Sequence, residues 1–270
     1  MKKQLIFLFA LALLAGCGMN EENKEKAKAG EEADTEQFAG LQQKAASLFG
    51  QLPEVAENPN NPLTPEKIAL GKKLYFDVRL SKDNTQSCNT CHNLETYGVD
   101  NDALSEGNDG GLGDRNSPTT LNAALHITQF WDGREPDVEA QAGGPILNPA
   151  EMAMPSEEAV VERLSGIEEY NTMFAEAFPE DKEPISYDNI KKAIGAFERI
   201  LITPSRFDLY LAGDETSLTV QEKKGLQTFM DAGCIACHMG NLLGGNMYQK
   251  FGLYGDYWTY THSDKVDDGR

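Results

Sequence analysis

Two pentapeptides constrain this 270-residue chain more than anything else in it: Cys88-Asn89-Thr90-Cys91-His92 and Cys234-Ile235-Ala236-Cys237-His238. Each has the Cys-x-x-Cys-His pattern of c-type haem attachment, in which two thiols form thioethers to the haem vinyls and the histidine ligates the iron. The spacing has a physical reason. Four consecutive residues can set both sulfurs on one porphyrin edge while the next residue turns beneath the metal. A zinc ribbon or a redox dithiol also uses Cys-x-x-Cys. Ribbon pairs sit about 15–20 residues apart, whereas these are separated by more than half the chain, and a histidine follows each pair directly. The pattern favours two covalent haems.

The fifth cysteine bears on the compartment. Met1-Lys2-Lys3 is a basic start, and Leu5 to Leu14 is an apolar core too short and wrongly flanked for a transmembrane helix. It runs into Leu14-Ala15-Gly16-Cys17, which resembles a bacterial lipobox. Residues 1–16 therefore read as a lipoprotein signal peptide and Cys17 as the lipidated N-terminus, the alternative being an ordinary leader with an incidental cysteine. No thiol then remains for a disulfide. Covalent haem attachment takes place outside the cytoplasmic membrane, so both features place the chain in the periplasm on a lipid anchor. Gly18, rather than aspartate, after Cys17 favours the outer membrane.

Acidic residues outnumber basic ones 43 to 24, a net charge of −19. Loss of Lys2 and Lys3 with the leader makes it more negative still. That charge repels nucleic acid and argues against binding anionic lipid through the protein surface. It suits a basic or locally apolar electron-transfer partner.

Met19 to about Gln37 is polar and has little to bury, so residues 17–40 read as a flexible tether. The rest shows helix punctuation and little strand alternation. Thr64-Pro65 opens a helix through Tyr75, Ser156 caps one through Leu164, and Thr219 with Glu222 forms a capping box before Leu226 and Phe229. Ser186 starts another, with Ile190, Ala193, Ile194, Phe197 and Leu201 at helical spacing. Residues 101–116, rich in Gly, Asn and Asp, form a loop. A faint repeat relates Leu63-Thr64, Gly71 and Tyr75 before the first motif to Leu218-Thr219, Gly225 and Phe229 before the second. A glycine followed four residues later by an aromatic resembles the N-terminal helix of cytochromes c. The expectation is an all-α chain of two cytochrome c-like domains, 41–205 and 206–270, each with one haem, the second incomplete.

From Leu63 to about Gly255 the chain resembles the bacterial dihaem cytochrome c peroxidases, a family that also includes the methylamine-utilisation dihaem enzyme. The resemblance rests on Gly71-Lys72-Lys73-Leu74-Tyr75-Phe76, Cys88 to Asn93, Asn116-Ser117-Pro118-Thr119, Gln129-Phe130-Trp131-Asp132-Gly133-Arg134 and Gln141-Ala142-Gly143-Gly144-Pro145. Glu151-Met152, Ala193-Ile194-Gly195-Ala196-Phe197-Glu198-Arg199 and Gly233 to His238 complete it. It implies an enzyme that reduces hydrogen peroxide to water with electrons from a small cytochrome c or cupredoxin. The haem on Cys88, Cys91 and His92 would be the peroxidatic one, and that on Cys234, Cys237 and His238 would receive the electrons. Glu151 resembles the distal acid–base carboxylate, Gln141 the amide that orients peroxide, and Trp131 the tryptophan between the haems. Phe130 would shape the pocket, and Asn116 resembles a ligand of an interdomain calcium ion. A homodimer is a further family expectation. Taken without the resemblance, Glu151 reads as a solvated carboxylate, Phe130-Trp131 as core, Gln141 as a helix residue and Asn116 as turn chemistry. Oxidation of a protein side chain and simple electron transfer are the alternative functions.

Two departures from the family carry expectations. Many members place a histidine in the loop after the first motif, where it ligates the resting peroxidatic iron. This chain has only four histidines, His92, His126, His238 and His262, and Asn108 stands at the apparent position. The expectation is an open peroxidatic haem that needs no reductive activation, with His126 and His262 as packing or surface residues. Family members also continue past the position of Arg270, through the methionine axial to the second haem. Met239 and Met247 lie too near His238 to wrap to its far face, so the expectation is a C-terminally truncated chain.

Overall fold

The computed structural model describes residues 37–250, 252–261 and 266–267. The leader, Cys17, most of the tether and His262 lie outside the described residues. Among those described there is no strand, only the isolated bridges Glu106 to Leu112 and Gln129 to Glu135. The helices are α1 (Leu41–Phe49), α2 (Pro65–Tyr75), α3 (Cys88–Cys91), α4 (Val138–Leu147), α5 (Glu157–Ser165), α6 (Glu168–Ala177), α7 (Tyr187–Glu198), α8 (Arg206–Leu211), α9 (Val220–Asp231) and α10 (Trp258–Thr261). The all-α expectation holds.

The helix starts follow their caps. Thr64 Oγ1 accepts the Lys67 amide at 3.2 Å with Pro65 at the first helical position. Ser156 and Ser186 accept from Ala159 and Asn189 in the same way, each at 3.2 Å. Thr219 and Glu222 satisfy each other's backbone amides, starting α9. Helix α7 stops at Glu198 with Arg199 as its cap, so Leu201 falls beyond the helix its spacing suggested.

The first core joins α2, α4, α5, α6 and α7. Leu70, Leu74, Ile146, Val160, Leu164, Phe174, Ile190 and Ile194 are fully excluded from solvent there. Each such aliphatic or aromatic side chain contributes about 1.5–3 kcal/mol by leaving water. The helix pair α2/α7 is the spine of this core, and Gly71 lets it form. A methyl group on Gly71 would lie 1.8 Å from the Ala193 carbonyl oxygen. The repeat's second glycine does not act this way, since nothing lies within 4 Å of the corresponding position at Gly225.

A second core gathers Phe38, Leu41, Ala45 and Phe49 with Tyr210, Leu211 and Met230. This corrects the boundary drawn from sequence. Helix α1 and Phe38, assigned there to the first domain and to the tether, pack with the second motif's helices instead. The apolar positions Leu41, Ala45 and Phe49 recur every four residues, and α8 and α9 provide the surface that buries that stripe. No helix among the described residues is long and apolar enough to cross a membrane.

Candidate functional site

The two Cys-x-x-Cys-His segments fold into the same local turn. In the first, the His92 amide donates to the Cys88 carbonyl at 2.9 Å. In the second, the His238 amide donates to the Cys234 carbonyl, also at 2.9 Å. One turn of backbone thus carries both sulfurs and swings the histidine out below them. Neither pair forms a disulfide.

Each histidine is oriented by a carbonyl. His92 Nδ1 lies 2.9 Å from the Pro118 oxygen, and His238 Nδ1 lies 2.9 Å from the Leu243 oxygen. Donation through Nδ1 leaves Nε2 as the free lone pair, the arrangement of a metal-binding imidazole. Burial also lowers the His92 pKa and keeps the ring neutral. The repeat's aromatics support both turns. Tyr75 Oη donates to the His92 carbonyl at 2.6 Å, and the Phe229 ring centroid is 5.9 Å from that of His238. Burial pushes the Cys88 thiol up to about 12 and raises Cys91 as well, so both are uncharged. Unpaired neutral thiols beside an oriented neutral imidazole are the donor set that a c-type haem requires.

Beside Cys91 lies Glu151. Its Oε1 accepts from Asn148 Nδ2 at 2.7 Å, and Asn148 Oδ1 in turn accepts the Ala150 amide at 3.0 Å. Burial raises the Glu151 pKa, and the Asn148 bond and the Arg134 charge offset part of that rise. The carboxylate is near enough to Cys91 to raise that thiol's pKa. A half-buried carboxyl with a proton affinity above the ordinary carboxylate range is suited to both accepting and releasing a proton. Phe130 lies on α4, the helix that leads into the Asn148–Glu151 turn. Its ring rests against α4 at Gly144, where an added methyl group would sit 3.4 Å from Cζ. Gln141, one turn earlier on that helix, is half-buried and makes no hydrogen bond through its amide among the described residues.

The remaining candidates lie elsewhere. Trp131 is 63% exposed, and its indole donates to the Asn116 carbonyl at 2.8 Å. Asn116 donates through Nδ2 to the Asp102 carbonyl at 2.7 Å. Among the described residues no group of three or more His, Cys, Asp or Glu side chains could hold a metal ion. Asn108 turns away from Glu151: its Oδ1 accepts the Asp83 amide at 3.2 Å and its Nδ2 donates to the Asp83 carboxylate at 3.1 Å. Its backbone amide instead pins the loop to the Glu151 carbonyl at 2.7 Å. His126 is exposed beside Gly245, and Met239 and Met247 are exposed, at 39% and 46%.

Sequence reading gave no role to Asn148 or Pro118. Asn148 precedes Glu151 by three residues across a tight turn, a spacing that could have been recognised. Pro118 acts only through its carbonyl, which leaves no side-chain signature.

The comparisons with known proteins agree with this geometry. The family model of di-haem cytochrome c peroxidases matches residues 65–216, more than half the chain. The cytochrome c551 peroxidase of Pseudomonas aeruginosa is 48% identical over 219 residues, covering 80% of this chain and 63% of its own length. The cytochrome c peroxidase Ccp of Escherichia coli is 40% identical over 240 residues, covering 85% of this chain and 51% of its own. Among solved structures, a MauG-like protein associated with microbial copper homeostasis matches with a TM-score of 0.66 at 32% identity, over 76% of this chain and 64% of that one. The chain therefore spans about half to two thirds of the length of these relatives. With two haem-attachment turns, oriented histidines and this pattern of likeness, the chain belongs to the di-haem cytochrome c peroxidase family.

Proposed function

We propose that the protein reduces hydrogen peroxide to water, with electrons from a small cytochrome c or cupredoxin entering at the second haem and passing to the first. Cys88, Cys91 and His92 would hold the first haem, which would supply the iron for peroxide binding and the electrons for its cleavage. The chain's own contribution is proton movement and shape. The Glu151 carboxylate takes the proton from the peroxide oxygen nearer the iron and returns it to the far oxygen, which departs as water. Two protons from solvent and two electrons from the donor then convert the remaining oxygen to the second water. Gln141 orients the peroxide, and Phe130 closes the pocket against α4.

The observation that carries this reading is Glu151 itself: a carboxyl beside Cys91, raised in proton affinity by burial and aimed by Asn148. A simple electron carrier has no use for such a group. Glu151→Gln keeps the size and the Asn148 contact but cannot take the proton. It is expected to lower kcat for peroxide about 10²–10⁴-fold with haem content unchanged, measured by oxidation of reduced donor. Retention of wild-type turnover would refute the assignment.

Trp131 belongs to the same proposal as the coupling group between the haems, and a calcium ion near Asn116 would fix the loop that anchors its indole. Both Asn116 side-chain contacts run through Nδ2, which leaves Oδ1 for a cation. A lipid anchor at Cys17, an outer-membrane location facing the periplasm and a homodimer complete the proposal.

A further inference from the structure

The segment between Trp131 and α4 contains a charged side chain that the reaction outlined above does not use. Arg134 lies with its guanidinium carbon over the Phe130 ring, 3.4 Å from its centroid. Its Nη1 donates to both oxygens of Asp132, at 3.1 and 3.2 Å, and its backbone amide donates to Asp132 Oδ1 at 3.3 Å. Asp132 is held in turn by Arg115 Nη1 at 2.8 Å. The loop is closed behind them: the Gln129 amide donates to the Glu135 carbonyl at 2.8 Å and the Gly133 amide to the Phe130 carbonyl at 3.0 Å. Phe130 adopts φ 63°, a left-handed backbone that a residue with a bulky side chain rarely takes. The tight turn and the strained backbone together bring a cation and an aromatic ring into one fixed unit.

The charge of that unit reaches the acid–base group, where Arg134 lowers the proton affinity of Glu151. The edge of the Phe130 ring lies on α4 at Gly144, and its face carries Arg134. The groups around Glu151 are the Asn148 amide, the Asn108 backbone amide, Cys91 and Arg134. Only Arg134 among them is a cation. We propose that Arg134 is a positioning residue of the peroxide pocket, supplying its fixed positive charge opposite Glu151 while holding Phe130 in its strained conformation. The inference deepens the peroxidase reading and rests on it.

The chemistry needs such a charge. As the O–O bond breaks, negative charge gathers on the departing oxygen before the proton arrives. Glu151 must also lose a proton to begin the cycle. A cation fixed nearby favours both, and a guanidinium stays charged at every working pH. Stacking and the Asp132 clamp keep it in place without reorganisation.

The test compares wild type with Arg134→Met, which removes the charge, and Arg134→Lys, which keeps it. Two quantities are read on the haem-loaded protein: the affinity of the oxidised haem for fluoride by optical titration, and the pH dependence of its reaction with peroxide. In Arg134→Met, fluoride affinity is expected to fall about three- to tenfold. The rising limb of the peroxide pH profile, which follows Glu151 deprotonation, is expected to move about 0.5–1 unit to higher pH. Lysine restores the limb and most of the fluoride affinity. If methionine leaves both quantities unchanged, or lysine restores neither, the proposal is wrong. Should Arg134→Met fail to take up haem, Arg134→Gln, which can still donate to Asp132, serves in its place. The fluoride titration needs no turnover, so it stands even where the peroxidase reading fails.

Discussion

Glu198 shows what one buried carboxyl does to this protein. It is 5% exposed, carries no side-chain hydrogen bond among the described residues, and has Glu139 as a like-charged neighbour. Burial first, and Glu139 second, push its pKa up to about 8. Glu139 goes the other way despite its own burial, because Arg199 donates to both of its oxygens at 2.7 Å and Asn61 to one at 2.9 Å. Two adjacent glutamates therefore differ in charge at neutral pH, and one guanidinium is enough for the pair. The consequence is a pH dependence of stability. The folded-state value lies above the unfolded value of about 4.3, so the protonated form's contribution is complete below that value and is lost as pH rises towards 8. Wild type should melt at progressively lower temperature from pH 5 to pH 9, and Glu198→Gln should flatten that fall. Parallel slopes for the two proteins would show that Glu198 is not the group responsible. Removing Arg199 is a different matter, because it strands the Glu139 charge in the interior. Arg199→Met should cost about 3–5 kcal/mol, read from urea denaturation.

The packing of α2 on α7 decides whether the first haem turn is presented at all. Gly71 sits against the Ala193 carbonyl, and four residues on, Tyr75 reaches the His92 carbonyl while its ring meets Phe197 at 5.3 Å. The two positions are one turn apart on the same helical face. Gly71→Ala forces the helices apart by more than a side chain can absorb and should cost about 1–3 kcal/mol. It should also reduce haem incorporation at the first motif and spare the second, read as haem-to-protein ratio in single-motif variants. Gly225→Ala, with open space around it, should be neutral. Helix caps, the α7 stripe and the glycine at position 71 were all legible in the sequence, because each is a local pattern with a local cause. The partner of α1 was not legible. Its stripe of Leu41, Ala45 and Phe49 demands burial but names no surface, and chain order wrongly suggested the nearer domain.

Across the whole chain, the haem turns were the most legible feature, since covalent attachment fixes residue type and spacing together. The sites around them were legible only through family resemblance, and unevenly so. Glu151 is near enough to Cys91 to act on its thiol, and Phe130 rests on α4 at Gly144, one turn from Gln141, while Trp131 and Asn116 meet each other at the surface. The carbonyls that aim His92 and His238 left no trace, because any residue at 118 or 243 offers the same atom. The loop of residues 101–116 is held by backbone contacts to Glu151 and by Asn108 side-chain bonds to Asp83. It offers no histidine to the first haem, which is why the peroxidatic iron is expected to stay open in the oxidised protein.

Peroxide turnover by the fully oxidised, full-length protein, mixed with reduced cytochrome c and followed from the first moments without prior reduction, tests this directly. Immediate turnover at the steady rate is the expected result, since no ligand has to leave before peroxide binds. A lag that pre-reduction abolishes would contradict the open first haem, and no turnover under either condition would contradict the peroxidase itself.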